Sequence, residues 1–573
     1  MANRPLDWLK VAHLALLSRE LDQLEEQQLT PQGKVKYQFS AMGHELAQVL
    51  LAHSLDHPHD AAAVYYRSRP FMLACGLSPA EALAAGMARA NSPSQGRDVG
   101  VVFNLPRREG PTVLPSSGDV GAQYTPAACW AQAIRYRQGV LGESEWEGAM
   151  AVAEGGEGSV AANGFWAALN IAAPLRLPLL FFIENNCYGL SVPASMQTPG
   201  GNIAENLASY KSLLVLDGDG VTPPETCELI SAAVNHVRSG AGPCLLHLRV
   251  PRLRGHTFID DQSYKSEEER AAEAELDPID RLKDFLLSTS LATPQTWEEL
   301  QVRARGEVAV ALETALAAPE PDPAEATRHL FFEGQAPRQG GLRPENAMID
   351  PGGDTPQLSG GRINLIDAVR RTLEVEMVRN PRLLVFGEDV GVKGGVHGAT
   401  LDMQAHFGPE RVFDTSLSEE GIIGRATGLA LAGLLPAPEI QFRKYADPAY
   451  EQINDLGTLR WRTANKFAAP VVVRIPVGYG KKTGDPWHSV SGEAIYAHTL
   501  GWRIAFPSNA ADAVGLLRSA LRGDDPTFFF EHRALLDTPE GRQPYPGDEY
   551  CLPFGRAAEL TQGDELTVVT WGE

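Results

Sequence analysis

Residues Glu147–Ser195 read EGAMAVAEGGEGSVAANGFWAALNIAAPLRLPLLFFIENNCYGLSVPAS. An apolar stretch around Ala149–Ala153 runs into Gly155-Gly156-Glu157-Gly158. A helical pattern follows, with Phe165, Ala168, Leu169, Ala172 and Ala173 on one face. Pro178 opens a second apolar run, Leu179–Ile183, which ends in Glu184-Asn185-Asn186. Short, nearly continuous apolar runs belong to strands buried on both faces, as in parallel sheets flanked by helices. The stretch therefore predicts a βαβ unit. Its two parallel strands place Glu157 and Asn186 side by side at their carboxyl ends, where ligands of open α/β sheets sit.

Runs of the same kind recur at Leu245–Val250, Leu383–Phe386, Val471–Ile475 and Thr527–Phe530. The expected fold class is α/β, with two domains that are each a parallel sheet flanked by helices. Residues 334–361 are rich in Gly, Pro and polar residues, show no apolar period, and read as a linker. This divides the chain into 1–333, the linker 334–361, a second domain 362–545 and a remainder 546–573. The first 29 residues read as an amphipathic helix without the apolar core and small-residue cleavage site of a signal peptide.

Composition narrows the function classes. Apolar residues make up 43% and charged residues 21% of the 573, enough for large cores. A net charge of −22 disfavours nucleic acid as a main partner, because phosphate binding needs a basic face. No run approaches the roughly 20 apolar residues that span a bilayer, so no membrane partner and a cytoplasmic location are expected. The six cysteines form no CxxC pair, which argues against a zinc or disulfide framework. No GxGxxG follows a strand with an acid about 20 residues on, which argues against an NAD-dependent dehydrogenase.

A carboxylate from Glu157 beside an amide oxygen from Asn186 suits a hard cation such as Mg²⁺, commonly held by one or two carboxylates together with phosphates and waters. Glycines around the acid let backbone approach a phosphate. The GEG turn, the helix through AALN and the segment ENNCYG resemble the thiamine-diphosphate motif in the α subunits of 2-oxoacid dehydrogenase E1 components. That resemblance implies that Glu157, the Asn186 side chain and the Tyr188 carbonyl bind Mg²⁺. It also places Gly156, Gly158 and Ser159 at the cofactor. Most of that family has Asp where this chain has Glu157, and the Glu form resembles the branched-chain enzymes. Tyr66-Arg67 resembles the YR pair that holds the diphosphate, although the chain continues SRP in place of the usual turn. Arg252-Leu253-Arg254-Gly255-His256 resembles the RxxGH element, in which Arg252 and His256 reach the diphosphate and the reacting centre.

The second half carries GEDVGVKGGVHGAT, RVFDTSLSEEGIIG, EIQFRKYADPAYEQI, VVVRIPVGYG, PWHSVSGEA and DPTFFFEHRALL. All six resemble segments of the E1 β subunit, in the same order. By that resemblance Glu419 faces N1′ of the aminopyrimidine, where a carboxyl sharing a proton with the ring activates the cofactor. Tyr445 supplies an aromatic beside the pyrimidine, within RKY where relatives read ADY. His488 matches an HS motif near the substrate adduct and suits binding of the substrate carboxylate or acid/base steps. The Glu388-Asp389 pair reads as structural, at a domain contact.

Taken together, the chain resembles fused α and β halves of a thiamine-diphosphate-dependent E1 component. The implied activity is oxidative decarboxylation of a 2-oxoacid, branched-chain by preference, with transfer of the acyl group to lipoyl groups of an E2 acyltransferase. Pyruvate or acetoin dehydrogenase E1, or a non-catalytic relative that binds the same cofactor, are the alternatives. One chain holding both halves suggests a homodimer. Leu566–Glu573 looks like the first strand of a truncated transketolase C-terminal-like domain.

Overall fold

A computed structural model describes residues 6–98, 103–341, 360–480 and 484–573. The chain divides into two compact units, Met1–Thr327 with Arg462–Ala464, and Arg328–Trp461 with Asn465–Glu573. Most of the expected linker, 342–359, lies outside the described residues.

The first unit is built on six strands: β1 (Ala61–Ala63), β2 (Thr112–Leu114), β3 (Ala151–Gly156), β4 (Leu179–Asn185), β5 (Leu214–Asp219) and β6 (Cys244–Arg249). They pair in the order β2-β1-β3-β4-β6-β5, and every pairing is parallel. All seven residues of β4 are buried, as a strand covered on both faces requires. Successive side chains point to opposite faces. Leu180 and Phe182 join a core with Val152, Leu246 and Val234, while Phe181 meets Phe165 edge to face. The helix Asn163–Leu175 crosses from β3 to β4 and ends where Arg176 turns left-handed at φ 49°. The opening segment forms the helix Trp8–Leu24, whose first amides are capped by the Asp7 carboxylate. No helix among the described residues is long and apolar enough to cross a membrane.

The second unit repeats the plan. Its strands are β7 (Leu383–Gly387), β8 (Val412–Asp414), β9 (Leu435–Glu439), β10 (Val472–Val477), β11 (Arg503–Ala505) and β12 (Thr527–His532). Their order is β8-β7-β9-β10-β12-β11, again all parallel. The helices Leu365–Arg379 and Ala510–Arg522 pack over one face, capped by the side chains of Asn364 and Asn509. Arg474 sits fully buried in β10 between Glu439 at 3.0 Å and Glu531 at 2.8 Å. This β10 arginine neutralises one buried carboxylate from each neighbouring strand, Glu439 of β9 and Glu531 of β12.

One expectation is corrected. Leu566–Glu573 forms no strand, and its Leu566 and Val569 are 80% and 74% exposed. A strand needs a neighbour for its backbone amides and carbonyls, and no described residue forms a ladder with this segment.

Candidate functional site

In the first unit Gly156 of β3 is the register partner of Glu184 of β4, so Glu157 and Asn186 leave the sheet together at its carboxyl edge. Both are buried. Gly158 is needed there: a Cβ on it would lie 3.0 Å from the Gly189 Cα, so the turn after β3 packs directly on the Tyr188–Gly189 segment. The Tyr188 amide donates to Asn186 Oδ1 at 3.3 Å. The Ser159 hydroxyl donates to the Gly156 carbonyl at 2.6 Å and lies 2.6 Å from the Tyr124 hydroxyl, so it closes the turn.

Glu157 Oε2 lies 3.2 Å from His247 Nε2, whereas the buried Oε1 has no hydrogen-bond partner. An orphaned carboxylate oxygen is costly to bury, and a cation is one group that would satisfy it. Among the described residues no three His, Cys, Asp or Glu side chains gather as a metal site. The donors expected at Glu157 include only one such side chain; the other two are an amide oxygen and a backbone carbonyl.

Tyr66, Arg67 and His256 come together. The Tyr66 ring packs against Phe39 at 4.6 Å and His256 at 5.7 Å, and the Arg67 guanidinium lies 5.2 Å from its centre. Arg67 donates to the carbonyls of Ser40 at 2.7 Å and His256 at 3.0 Å. Arg252 donates to the Leu190 carbonyl at 2.7 Å and to the Tyr264 hydroxyl, and lies 5.3 Å from the Tyr188 ring centre. Both arginines therefore spend their donors on neutral partners and keep positive charge in reserve, which fits an anionic ligand such as a diphosphate. Burial, then Arg67 and Arg252, lower the His256 pKa to about 4, so its ring is neutral near pH 7.

Several neighbours escaped the sequence reading. Tyr65, next to the expected Tyr66, points the other way and donates to the buried Glu184 at 3.0 Å. His44 bridges Glu184 Oε1 at 3.2 Å and Asn186 Nδ2 at 3.3 Å. His247 joins Glu157 to Asp217. His247 and Asp217 sit in ordinary strands, His44 in the turn before a helix and Tyr65 in the loop after β1, and no local signal marks them.

In the second unit Glu419 opens the helix Glu419–Leu431, whose Gly421 amide is capped by Ser418 Oγ at 3.1 Å. Glu388 is buried, and burial, then the nearby charges of Glu419 and Asp389, raise its pKa to about 7. It accepts from Gln441 Nε2 at 3.0 Å. The neighbouring Phe442 packs edge to face on His488 at 4.7 Å, and Tyr445 Oη lies 3.0 Å from His488 Nε2. Tyr445 and His488 are thus brought into contact. Glu419 is not brought into contact with them among the described residues; its charge acts on Glu388, which accepts from Gln441 beside Phe442. Arg533 donates to the His488 carbonyl at 2.7 Å. His397, 5.9 Å from the Phe442 ring, has its pKa lowered to about 4 by burial and then by Arg533 and Arg474.

Comparison with known proteins shows the family of the chain. The family described as dehydrogenase E1 component matches residues 12–324, more than half of the chain. The transketolase pyrimidine binding domain matches residues 362–539. The chain belongs to the dehydrogenase E1 component family, with α-like and β-like halves joined in one polypeptide. Both matched families depend on thiamine diphosphate. Among known relatives, the 2-oxoisovalerate dehydrogenase subunit beta of Bacillus subtilis (strain 168) is 43% identical over 211 residues, 37% of this chain and 64% of that protein. The pyruvate dehydrogenase E1 component subunit beta of the same organism is 39% identical over 212 residues, with the same coverage of both chains. A 2-oxoisovalerate dehydrogenase subunit beta from Pseudomonas aeruginosa is 39% identical over 225 residues, 37% of this chain and 64% of that protein. The chain thus spans about 64% of the length of these relatives.

Proposed function

We propose that this chain is the decarboxylating E1 component of a 2-oxoacid dehydrogenase complex, using thiamine diphosphate with Mg²⁺. The observation that carries the reading is the buried, unpartnered Oε1 of Glu157 in a unit that also holds Arg67 and Arg252 on neutral partners. Glu157, the Asn186 side chain and the Tyr188 carbonyl would hold the cation. The turn of Gly156, Gly158 and Ser159, with Tyr66, Arg67 and Arg252, would hold the diphosphate. When bound, thiamine diphosphate supplies an electron sink for loss of carbon dioxide from a 2-oxoacid.

The protein's own work is placement and proton handling. Glu419 would share a proton with N1′ of the aminopyrimidine, beside Tyr445. His256, neutral at pH 7, can donate or accept a hydrogen bond at the reacting centre without adding charge near the arginines. His488 would bind the substrate carboxylate or move a proton during acyl transfer. The acceptor would be a lipoyl group of an E2 acyltransferase.

A branched-chain 2-oxoacid is the favoured substrate. Glu157 in place of Asp supports it, as does the higher identity to the 2-oxoisovalerate relative of Bacillus subtilis than to the pyruvate one, 43% against 39%. A pyruvate or acetoin enzyme is the second reading, supported by that same pyruvate relative. We place the diphosphate domain at 1–333 and the pyrimidine domain at 362–545. A cytoplasmic homodimer is the form we expect. Isothermal titration of thiamine diphosphate with Mg²⁺, paired with 2-oxoacid-dependent reduction of an artificial acceptor, tests the proposal. Tight binding with turnover supports it and ranks the substrates. No binding by the folded chain removes it.

A further inference from the structure

His247 stands in β6 with 1% of its surface exposed, and both ring nitrogens face carboxylates. Nε2 lies 3.2 Å from Glu157 Oε2 and Nδ1 lies 2.8 Å from Asp217 Oδ1. Three strands contribute. Glu157 follows the end of β3, and Asp217 of β5 is the register partner of His247 in β6. Because β4 separates β3 from β6, the Glu157 side chain must cross a strand to reach the imidazole. Asp217 is itself held by Asn202 Nδ2 at 3.3 Å, so the imidazole has an anchored support.

The two oxygens of Glu157 are therefore unequal. Oε2 is committed to His247, and Oε1 is buried without a partner. With Oε2 engaged by His247, Oε1 is the oxygen left open to a cation. Mg²⁺ requires single-oxygen ligands in a near-ideal octahedron at about 2.0–2.1 Å, whereas Ca²⁺ accepts about 6–8 oxygens and bidentate carboxylates. Partners that orient a ligating side chain commonly tune metal affinity by roughly 10–100-fold.

We propose that His247 is a positioning residue which, backed by Asp217, pins one oxygen of Glu157 and so tunes the site towards small octahedral divalent cations. The inference rests on the reading of Glu157 as a cation ligand. Glutamate suits this role where aspartate would not, because one methylene fewer shortens the reach across β4.

The test titrates Mg²⁺ and Ca²⁺ separately into the full chain at saturating thiamine diphosphate, following heat of binding. In His247→Gln, Mg²⁺ affinity should fall by roughly 10-fold or more, and Ca²⁺ affinity should fall less, narrowing the Mg²⁺/Ca²⁺ ratio. Asp217→Asn, at a half-exposed position, should shift the ratio the same way by a smaller factor, and it decides the matter if His247→Gln fails to fold. A loosened fold would weaken both ions alike, so equal losses with an unchanged ratio overturn the inference, as does unchanged Mg²⁺ affinity in both variants. If the wild-type chain binds neither ion with the cofactor, the reading of Glu157 falls and takes the inference with it. Wild-type binding with no change of ratio in the variants removes the inference alone.

Discussion

Tyr445 Oη lies 3.0 Å from His488 Nε2, while Nδ1 of the same ring lies 3.0 Å from the Asp485 carboxylate. Asp485 accepts at neutral pH, so Nδ1 donates to it, and in that tautomer Nε2 accepts from the Tyr445 hydroxyl. The tyrosine thereby sets the ring orientation, and Phe442 packs on its flank at 4.7 Å. Two residues that act as one should not behave additively. In a double-mutant cycle with Tyr445→Phe and His488→Gln, we expect a coupling energy of about 0.5–3 kcal/mol in kcat/KM. Additive losses would show that the contact has no bearing on turnover.

Glu419 at its helix start is the proposed proton partner of the aminopyrimidine. Glu419→Gln keeps the shape and removes the ionisable carboxyl. Turnover of the preferred 2-oxoacid should fall roughly 100- to 10,000-fold, the range for loss of a general acid–base group. Heat of thiamine diphosphate binding should change little. A variant with wild-type kcat would exclude the assignment.

Among the described residues Arg67 donates its hydrogen bonds to carbonyl and imidazole partners, which leaves its charge for a diphosphate. Arg67→Ala should weaken thiamine diphosphate by about 1.5–3 kcal/mol, the usual worth of a hydrogen bond to a charged group. Unphosphorylated thiamine should bind the variant and the wild type alike. Equal weakening of both ligands, measured by titration, would point to a structural role for Arg67 alone.

Glu388 is held protonated to about pH 7 by burial first and by Glu419 and Asp389 next. A free glutamate titrates near about 4.3. Its protonation therefore favours the folded state most below that value, and the contribution is lost as pH rises through about 7. Wild type should lose stability relative to Glu388→Gln between pH 5 and pH 8, by on the order of 1–2 kcal/mol after solvent screening. Urea unfolding at the two pH values measures it. A pH-independent difference would mean that Glu388 does not titrate in this window.

Arg474 keeps Glu439 and Glu531 apart inside the second sheet. Arg474→Met leaves two buried carboxylates unpaired and should cost about 3–5 kcal/mol of unfolding free energy. Replacing all three by apolar residues of similar volume should recover most of that loss. Failure of the triple variant to recover would assign the cluster a role beyond charge balance.

The sequence carried much of the fold by itself. Runs such as Leu179–Ile183 and Thr527–Phe530 are apolar throughout because a parallel strand is covered on both faces, and both are central strands here. Motif order was equally legible, since Glu157, Asn186 and Glu419 stand at strand or helix ends whose positions follow from local pattern. A strand at Leu566–Glu573 was not decided locally, because apolar residues make a strand only beside a partner. Nor could the sequence single out His247, 90 residues from Glu157, or turn Tyr65 towards Glu184 while Tyr66 turned to His256. Strand and helix identity come from short-range periodicity, which the chain states openly. Which carboxylate oxygen is tied and which left free depends on strand order, which brings residues distant in sequence within hydrogen-bonding distance, and only the tertiary structure settled that.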